Sequence, residues 1–223
     1  MTASVSGGAR QFILPLPLPV SSDRADFLED ASNAEALAWL DRPESWPGGR
    51  LAVFGPAGVG KSHLARALAT ERGWRLIEGH ALRGLPEPAP GGTVLDDADA
   101  VVQEKALLHL INLCAERGEH LLLMGRDAPA RWKVALPDLA SRLRATTAIG
   151  IGRPGDALLG ALLAKHFADR QLRVAPEVQS WLLARLSREA ATLAEAAARL
   201  DRAALAARVP VTRALARAAL AGW

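Results

Sequence analysis

One run of eight residues carries the clearest chemistry in this 223-residue chain: Gly55-Pro56-Ala57-Gly58-Val59-Gly60-Lys61-Ser62. The glycines let successive backbone N–H groups turn inward around phosphate oxygens, and a helix starting at Lys61 adds its positive N-terminal end. Lys61 would bring a mobile point charge to β and γ phosphates, and the Ser62 hydroxyl would ligate Mg²⁺. Downstream, Val94-Leu95-Asp96-Asp97 is an apolar run ending in two carboxylates. There Asp96 would hold Mg²⁺ through water, and Asp97 would orient and deprotonate an attacking water. Together they describe a site for a nucleoside di- or triphosphate with Mg²⁺. The plain alternatives are a glycine-rich turn and an ordinary acidic loop, and Asp99 and Asp127 read as solvated.

The elements that must position these residues follow from the pattern. Residues 51–54 form a compact apolar run, read as a buried strand feeding the loop. A helix over 61–72 stops at Gly73, and 74–78 is the next strand. Residues 79–92 are a Gly/Pro-rich connection with little room for an inserted helix pair. A strand over 93–95 precedes a helix over 101–117 closed by Gly118, then an apolar strand over 120–124 and a last strand over 145–151. Strands alternating with helices imply a five-stranded parallel sheet flanked by helices. Ser32 with Glu35 reads as a capping box for a short helix that Pro43 ends. From Pro154 onward everything reads as helix, over 156–170, 176–186, 188–207 and 212–220. The expected organisation is therefore an extended arm over 1–26, an α/β unit over 27–152 and a small all-helical lid over 153–223.

Composition bounds the function. Half of the residues are apolar, mean hydropathy is near zero, and no apolar run approaches the roughly 20 residues that span a bilayer. Gln11 to Val20 is interrupted by Pro15, Pro17 and Pro19 and does not resemble a secretory signal, so a soluble cytoplasmic protein is expected. Cys114 is the only cysteine, which excludes an intrachain disulfide or a cysteine zinc cage; in an apolar helical run it reads as a buried thiol. From residue 150 onward 11 Lys and Arg stand against 6 Asp and Glu, net +5, leaving 16 against 18, net −2, before it. A basic C-terminal part could touch an anionic partner, but without interleaved aromatics solvated helix faces are the favoured reading.

The phosphate loop, the Asp96-Asp97 strand end, the segment Leu136-Pro137-Asp138-Leu139-Ala140-Ser141-Arg142-Leu143 and the helical tail together resemble an AAA+ ATPase of the DnaA-related group. Within that group the chain is most similar to the Hda-type regulatory inactivators of the initiator DnaA, from about Gln11 to the end. The resemblance implies a bound adenine nucleotide (ADP or ATP) with Mg²⁺ and attachment to the sliding clamp of DNA polymerase III. It also implies stimulation of ATP hydrolysis by DnaA, with weak hydrolysis at most by the chain itself. Gly55, Pro56, Ala57, Gly58, Val59, Gly60, Lys61, Ser62 and His63 would contact the nucleotide. Phe27-Leu28 and Ser32-Asn33 match the segment beside the adenine, so Asn33 joins that set, with helix capping as its alternative. Arg142 matches the arginine finger projected toward a neighbour's γ-phosphate, its alternative being a surface arginine.

Two departures from the group stand out. The strand end where a polar sensor is usual reads Met124-Gly125-Arg126, leaving Arg126 as a substitute. Ala191 occupies the position of the second sensor arginine in some relatives, with Arg188 expected one turn earlier on the same helix face. Both favour a nucleotide-holding switch over a fast motor. The arm Gln11-Phe12-Ile13-Leu14-Pro15-Leu16 resembles a clamp-binding peptide: Gln11 for backbone at a pocket rim, Phe12, Leu14 and Leu16 for an apolar cleft. Packing of the arm on its own domain is the other reading. A self-sufficient helicase-loader-type ATPase or P-loop kinase and a DNA-binding initiator are the competing classes. No sequence-specific DNA binding or membrane association is expected, and a homo-oligomer is possible.

Overall fold

The computed structural model describes residues 27–222. Five strands, β1 (Arg50–Phe54), β2 (Arg75–Glu78), β3 (Gly92–Asp96), β4 (His120–Gly125) and β5 (Thr147–Gly150), form one parallel sheet in the order β2-β3-β4-β1-β5. β1 is central to the site: Arg50 pairs with Leu121 and Phe54 with Gly125 on one edge, while Leu51 pairs with Thr147 and Phe54 with Gly150 on the other. A parallel sheet covered on both faces needs apolar residues of both parities. Leu51, Val53, Val94, Leu122 and Met124 accordingly pack on one face, and Ala52, Leu95, Leu121 and Leu123 on the other. The first face is covered by α1 (Ala34–Leu40) and α2 (Lys61–Arg72), the second by α3 (Glu104–Arg117) and α4 (Pro137–Arg144). Cys114 lies buried in that second core, where loss of hydration pushes its thiol up to about 11.

The boundaries show which local rules won. α2 has the expected limits because Gly73 adopts φ +66 and its N–H closes on the last turn. The Ser32–Glu35 capping box does not form. Instead the Asp30 carboxylate accepts from the Ser32 N–H and hydroxyl, and the Asn33 side chain accepts from the Asp30 N–H at 2.9 Å. An Asx-type turn has taken the place of the capping box. α3 starts at Glu104 rather than Val101, because Ala98–Ala100 first closes a separate 3₁₀ turn.

After β5 the chain folds into α5 (Asp156–Ala168), α6 (Pro176–Leu183), α7 (Ala190–Ala207) and α8 (Arg213–Ala219). These bury their own core, which includes Leu163, Phe167, Leu182, Leu193 and Leu200. α7 begins at Ala190, so Arg188 precedes the helix and does not share its face with residue 191. Glu189 takes the N-cap position in extended geometry, which fixes the start there.

The ends of β2 and β3 approach so closely that a Cβ at Gly79 would lie 2.0 Å from the Asp97 carbonyl oxygen. Gly79→Ala is therefore expected to destabilise the fold by about 1–3 kcal/mol, as overpacking against rigid backbone does. A urea unfolding midpoint equal to that of wild type would refute this close approach.

Candidate functional site

The phosphate loop leaves the C-terminal end of β1 under close backbone constraint. The Gly55 N–H donates to the Gly125 carbonyl at 3.2 Å, and the Ile151 N–H donates to the Phe54 carbonyl at 2.7 Å. A side chain at Gly55 would collide with the Ile151 carbonyl. Gly58 and Gly60 take φ +78 and +98, so the loop uses its glycines to turn before α2 begins. Lys61, 8 % exposed, bends back to donate to the Gly55 and Pro56 carbonyls at 2.8 and 2.9 Å. Burial pulls its ammonium below the usual lysine range, partly offset by the carboxylates of Asp97, Asp96 and Asp99. Phosphate oxygens would offer that ammonium stronger, charge-assisted partners than the two carbonyls.

Asp96 is 1 % exposed, and its Oδ1 accepts the Asp97 N–H at 3.1 Å. Asp97 adopts φ +48, a left-handed conformation that aspartate tolerates, and is half-buried. Ser62, in the first turn of α2, is half-buried as well. Among the described residues no group of three or more His, Cys, Asp or Glu could hold a metal. One hydroxyl and one buried carboxylate suit Mg²⁺, which is commonly held by one or two protein groups together with substrate phosphates and water. Asp99, read above as solvated, is exposed, but its Oδ2 accepts the Arg126 N–H at 2.9 Å. At the sensor position Gly125 offers no side chain and packs under Trp132, while Arg126 is exposed and its charge acts on Lys61.

Around the loop the remaining residues divide. The Phe27 ring stacks on His63 at 6.1 Å and lies within 3.1 Å of where a Gly60 Cβ would sit. The segment behind it is tied to the sheet through the Gly152 N–H on the Ser32 carbonyl and the Gly155 N–H on Asp30. Asn33 is buried there, but its amide serves the segment itself, donating to the Leu28 carbonyl and accepting from Asp30. Arg188 pairs with Asp156 at the start of α5. What the lid brings to the loop is Glu189-Ala190: the Ala190 N–H donates to the Gly58 carbonyl at 3.3 Å, and the Glu189 side chain packs against Gly58. Neither residue had a sequence signal, since the contact joins positions more than 130 apart in the chain.

Arg142 is exposed and lies at the opposite end of β1, its carbonyl facing Arg50. Its helix α4 is held at the front by Glu104, whose two carboxylate oxygens accept the Ala135 and Leu136 N–H groups at 2.7 and 2.8 Å. The clamp-binding residues Gln11, Phe12, Leu14 and Leu16 lie outside the described residues.

A phosphate loop and acidic strand end on a β2-β3-β4-β1-β5 sheet, followed by a helical lid, define a P-loop protein of the AAA+ class. The profile of the Hda lid domain matches residues 156–220. Domain III of the Thermotoga maritima replication initiation protein DnaA superposes with a TM-score of 0.75 at 16 % identity, over 92 % of this chain and 97 % of that one. The Thermotoga maritima RuvB Holliday junction branch migration motor gives 0.69 at 13 % identity, over 89 % and 71 %. AMPPCP-bound DnaA from Aquifex aeolicus gives 0.59 at 18 % identity, over 76 % and 61 %. An uncharacterized protein of Haemophilus influenzae is 29 % identical over 171 residues, 69 % of this chain and 73 % of that one. The chain thus has the AAA+ fold of DnaA domain III, and its helical tail over 156–220 matches the Hda lid domain. Among its described residues no helix is long and apolar enough to cross a membrane.

If the loop holds phosphates as described, ADP with Mg²⁺ should raise the melting temperature, because a ligand bound only by the folded state stabilises it as RT ln(1 + [L]/Kd). Lys61→Ala is expected to lose most of that rise. A melting response unchanged by the substitution would remove Lys61 from phosphate binding.

Proposed function

We propose that this chain is an adenine-nucleotide-binding regulator of chromosome replication initiation that docks on the sliding clamp of DNA polymerase III and stimulates ATP hydrolysis by DnaA. The observation that carries the reading is the separation of the phosphate loop from Arg142. β1 runs from Arg50, beside the Arg142 carbonyl, to Phe54, which enters the loop. Five residues at about 3.3 Å per step place the two ends roughly 13 Å apart. A guanidinium at one end cannot serve a phosphate at the other, so Arg142 fits a finger acting on a neighbouring subunit. The Hda-type lid and the DnaA-like fold favour DnaA as that neighbour.

In this reading Gly55 to His63 hold ADP or ATP, with Ser62 and Asp96 toward Mg²⁺ and Asp97 toward a water. Phe27 and His63 form the floor of the base site. Gly125 at the sensor position and Arg188 engaged with Asp156 both favour a nucleotide-holding switch with weak hydrolysis of its own. A cytoplasmic location follows from replication partners. A helicase-loader-type ATPase would share the core but has no use for the Gln11 arm.

Arg142→Ala should bind nucleotide and clamp normally and fail to stimulate DnaA, since trans-acting fingers contribute about 10³–10⁵ in rate. Full stimulation by this variant, or rapid turnover by the isolated chain, would instead point to a self-sufficient ATPase. Replacing Gln11, Leu14 and Leu16 together by alanine should abolish clamp binding and leave the nucleotide-dependent melting rise intact. Clamp affinity equal to wild type would exclude the arm as the docking peptide.

A further inference from the structure

Arg50 opens β1, and its guanidinium is committed to the end of α4. Its Nε donates to the Thr146 hydroxyl oxygen at 2.8 Å, and its Nη2 points at the Arg142 carbonyl at 3.4 Å. The same Thr146 hydroxyl donates to the Arg142 carbonyl at 2.8 Å. This carbonyl needs those partners. The Thr146 N–H, which would close an α-helical turn on it, goes to the Leu143 carbonyl instead. A cation at a helix C-terminus also meets the negative end of the helix dipole.

The two guanidiniums share one open depression of approximately 450 Å³ lined by Arg50, Asp138, Ser141, Arg142 and Ala145. Among the described residues neither guanidinium makes an ion pair. Arg50 is half-buried and fixed, and Arg142 is exposed. Repulsion between like charges in a partly desolvated setting is therefore relieved by moving the freer one outward. The same proximity lowers the affinity of Arg50 for its proton, after the larger effect of its burial.

We propose that Arg50 is a positioning residue for the arginine finger: through Thr146 and the Arg142 carbonyl it fixes the last turn of α4, and its charge holds the Arg142 guanidinium out toward the neighbouring subunit's nucleotide. This rests on Arg142 acting in trans on DnaA. Arg50 itself touches no phosphate. Its loss misplaces the finger without removing it, and small misplacements of a catalytic group cost up to about 100-fold in rate.

The test uses the full chain with clamp, ADP and ATP-loaded DnaA, and reads the maximal stimulated hydrolysis rate and the half-saturating concentration separately. Arg50→Met is expected to lower the maximal rate by about 10–100-fold, with the half-saturating concentration and the ADP-dependent melting rise near wild type. Combined with Arg142→Ala it should do no further harm, because positioning has no value without the finger. Thr146→Val, which removes the bridging hydroxyl with little change in volume, should lower the maximal rate in the same way, and Thr146→Ser should restore it. Thr146→Val also decides the matter if Arg50→Met fails to fold. A wild-type maximal rate for Arg50→Met or Thr146→Val, while Arg142→Ala abolishes stimulation, would overturn the inference. Normal stimulation by Arg142→Ala would overturn the trans-acting reading on which it rests.

Discussion

The architecture depends on β1 being hydrogen-bonded along both edges. A strand flanked by β4 and β5 cannot shift, and the pairing runs past its end: the Gly55 N–H still finds β4, and the residue after β5 still donates to Phe54. The phosphate loop therefore starts from a backbone held on two sides, with no room for a side chain at Gly55. Beyond that anchor the loop turns through the left-handed Gly58 and Gly60 into α2. Pairing along both edges also fixes Arg50 at the far end of the same strand, so one element separates the phosphate loop from the Arg50 and Arg142 end.

Charge at the loop follows from that placement. An ammonium inside the fold is unfavourable unless it is paired, and Lys61 meets two carbonyls directly and three carboxylates at longer range. Phosphate oxygens would offer that ammonium stronger partners than the two carbonyls. The lid closes the same loop by the backbone bond from Ala190 to Gly58 and the packing of Glu189, while Arg188 ties the start of α7 to the start of α5. Movement of Gly58 on phosphate binding would be felt at the lid through a single hydrogen bond and one side chain.

Sequence reading recovered the features that rest on local rules. β1, β3 and β4 centre on continuous apolar runs, the limits of α2 are set by Lys61 and Gly73, and the phosphate loop is a contiguous string whose spacing encodes its own geometry. It failed where a side chain had a choice of partners. Ser32 and Glu35 satisfy the capping-box pattern, yet Asp30 is two residues away and its carboxylate accepts the Ser32 N–H that Glu35 would otherwise serve, together with the Ser32 hydroxyl. Helical periodicity runs through Arg188, but extended Glu189 starts the helix later and lets Arg188 reach Asp156. Arg50 carried no signal because its partners lie 92 and 96 residues away. A charged residue before an apolar run reads only as the edge of a strand.

α4 brings these strands of argument together. With eight residues it is too short to be stable by itself, and its hydrophobic contribution is mainly Leu139 and Leu143. Its two ends are held by charges of the sign each end prefers. A carboxylate from Glu104 accepts the N–H groups just before the helix, and a guanidinium from Arg50, with Thr146, serves a carbonyl of the last turn. Glu104 stands at the start of α3, shortly after the Asp96-Asp97 strand end, and Arg50 stands on the strand that feeds the phosphate loop. α4 is thus suspended between the start of α3 and the start of β1, which fixes the exposed Arg142 at the end of β1 opposite the phosphate loop.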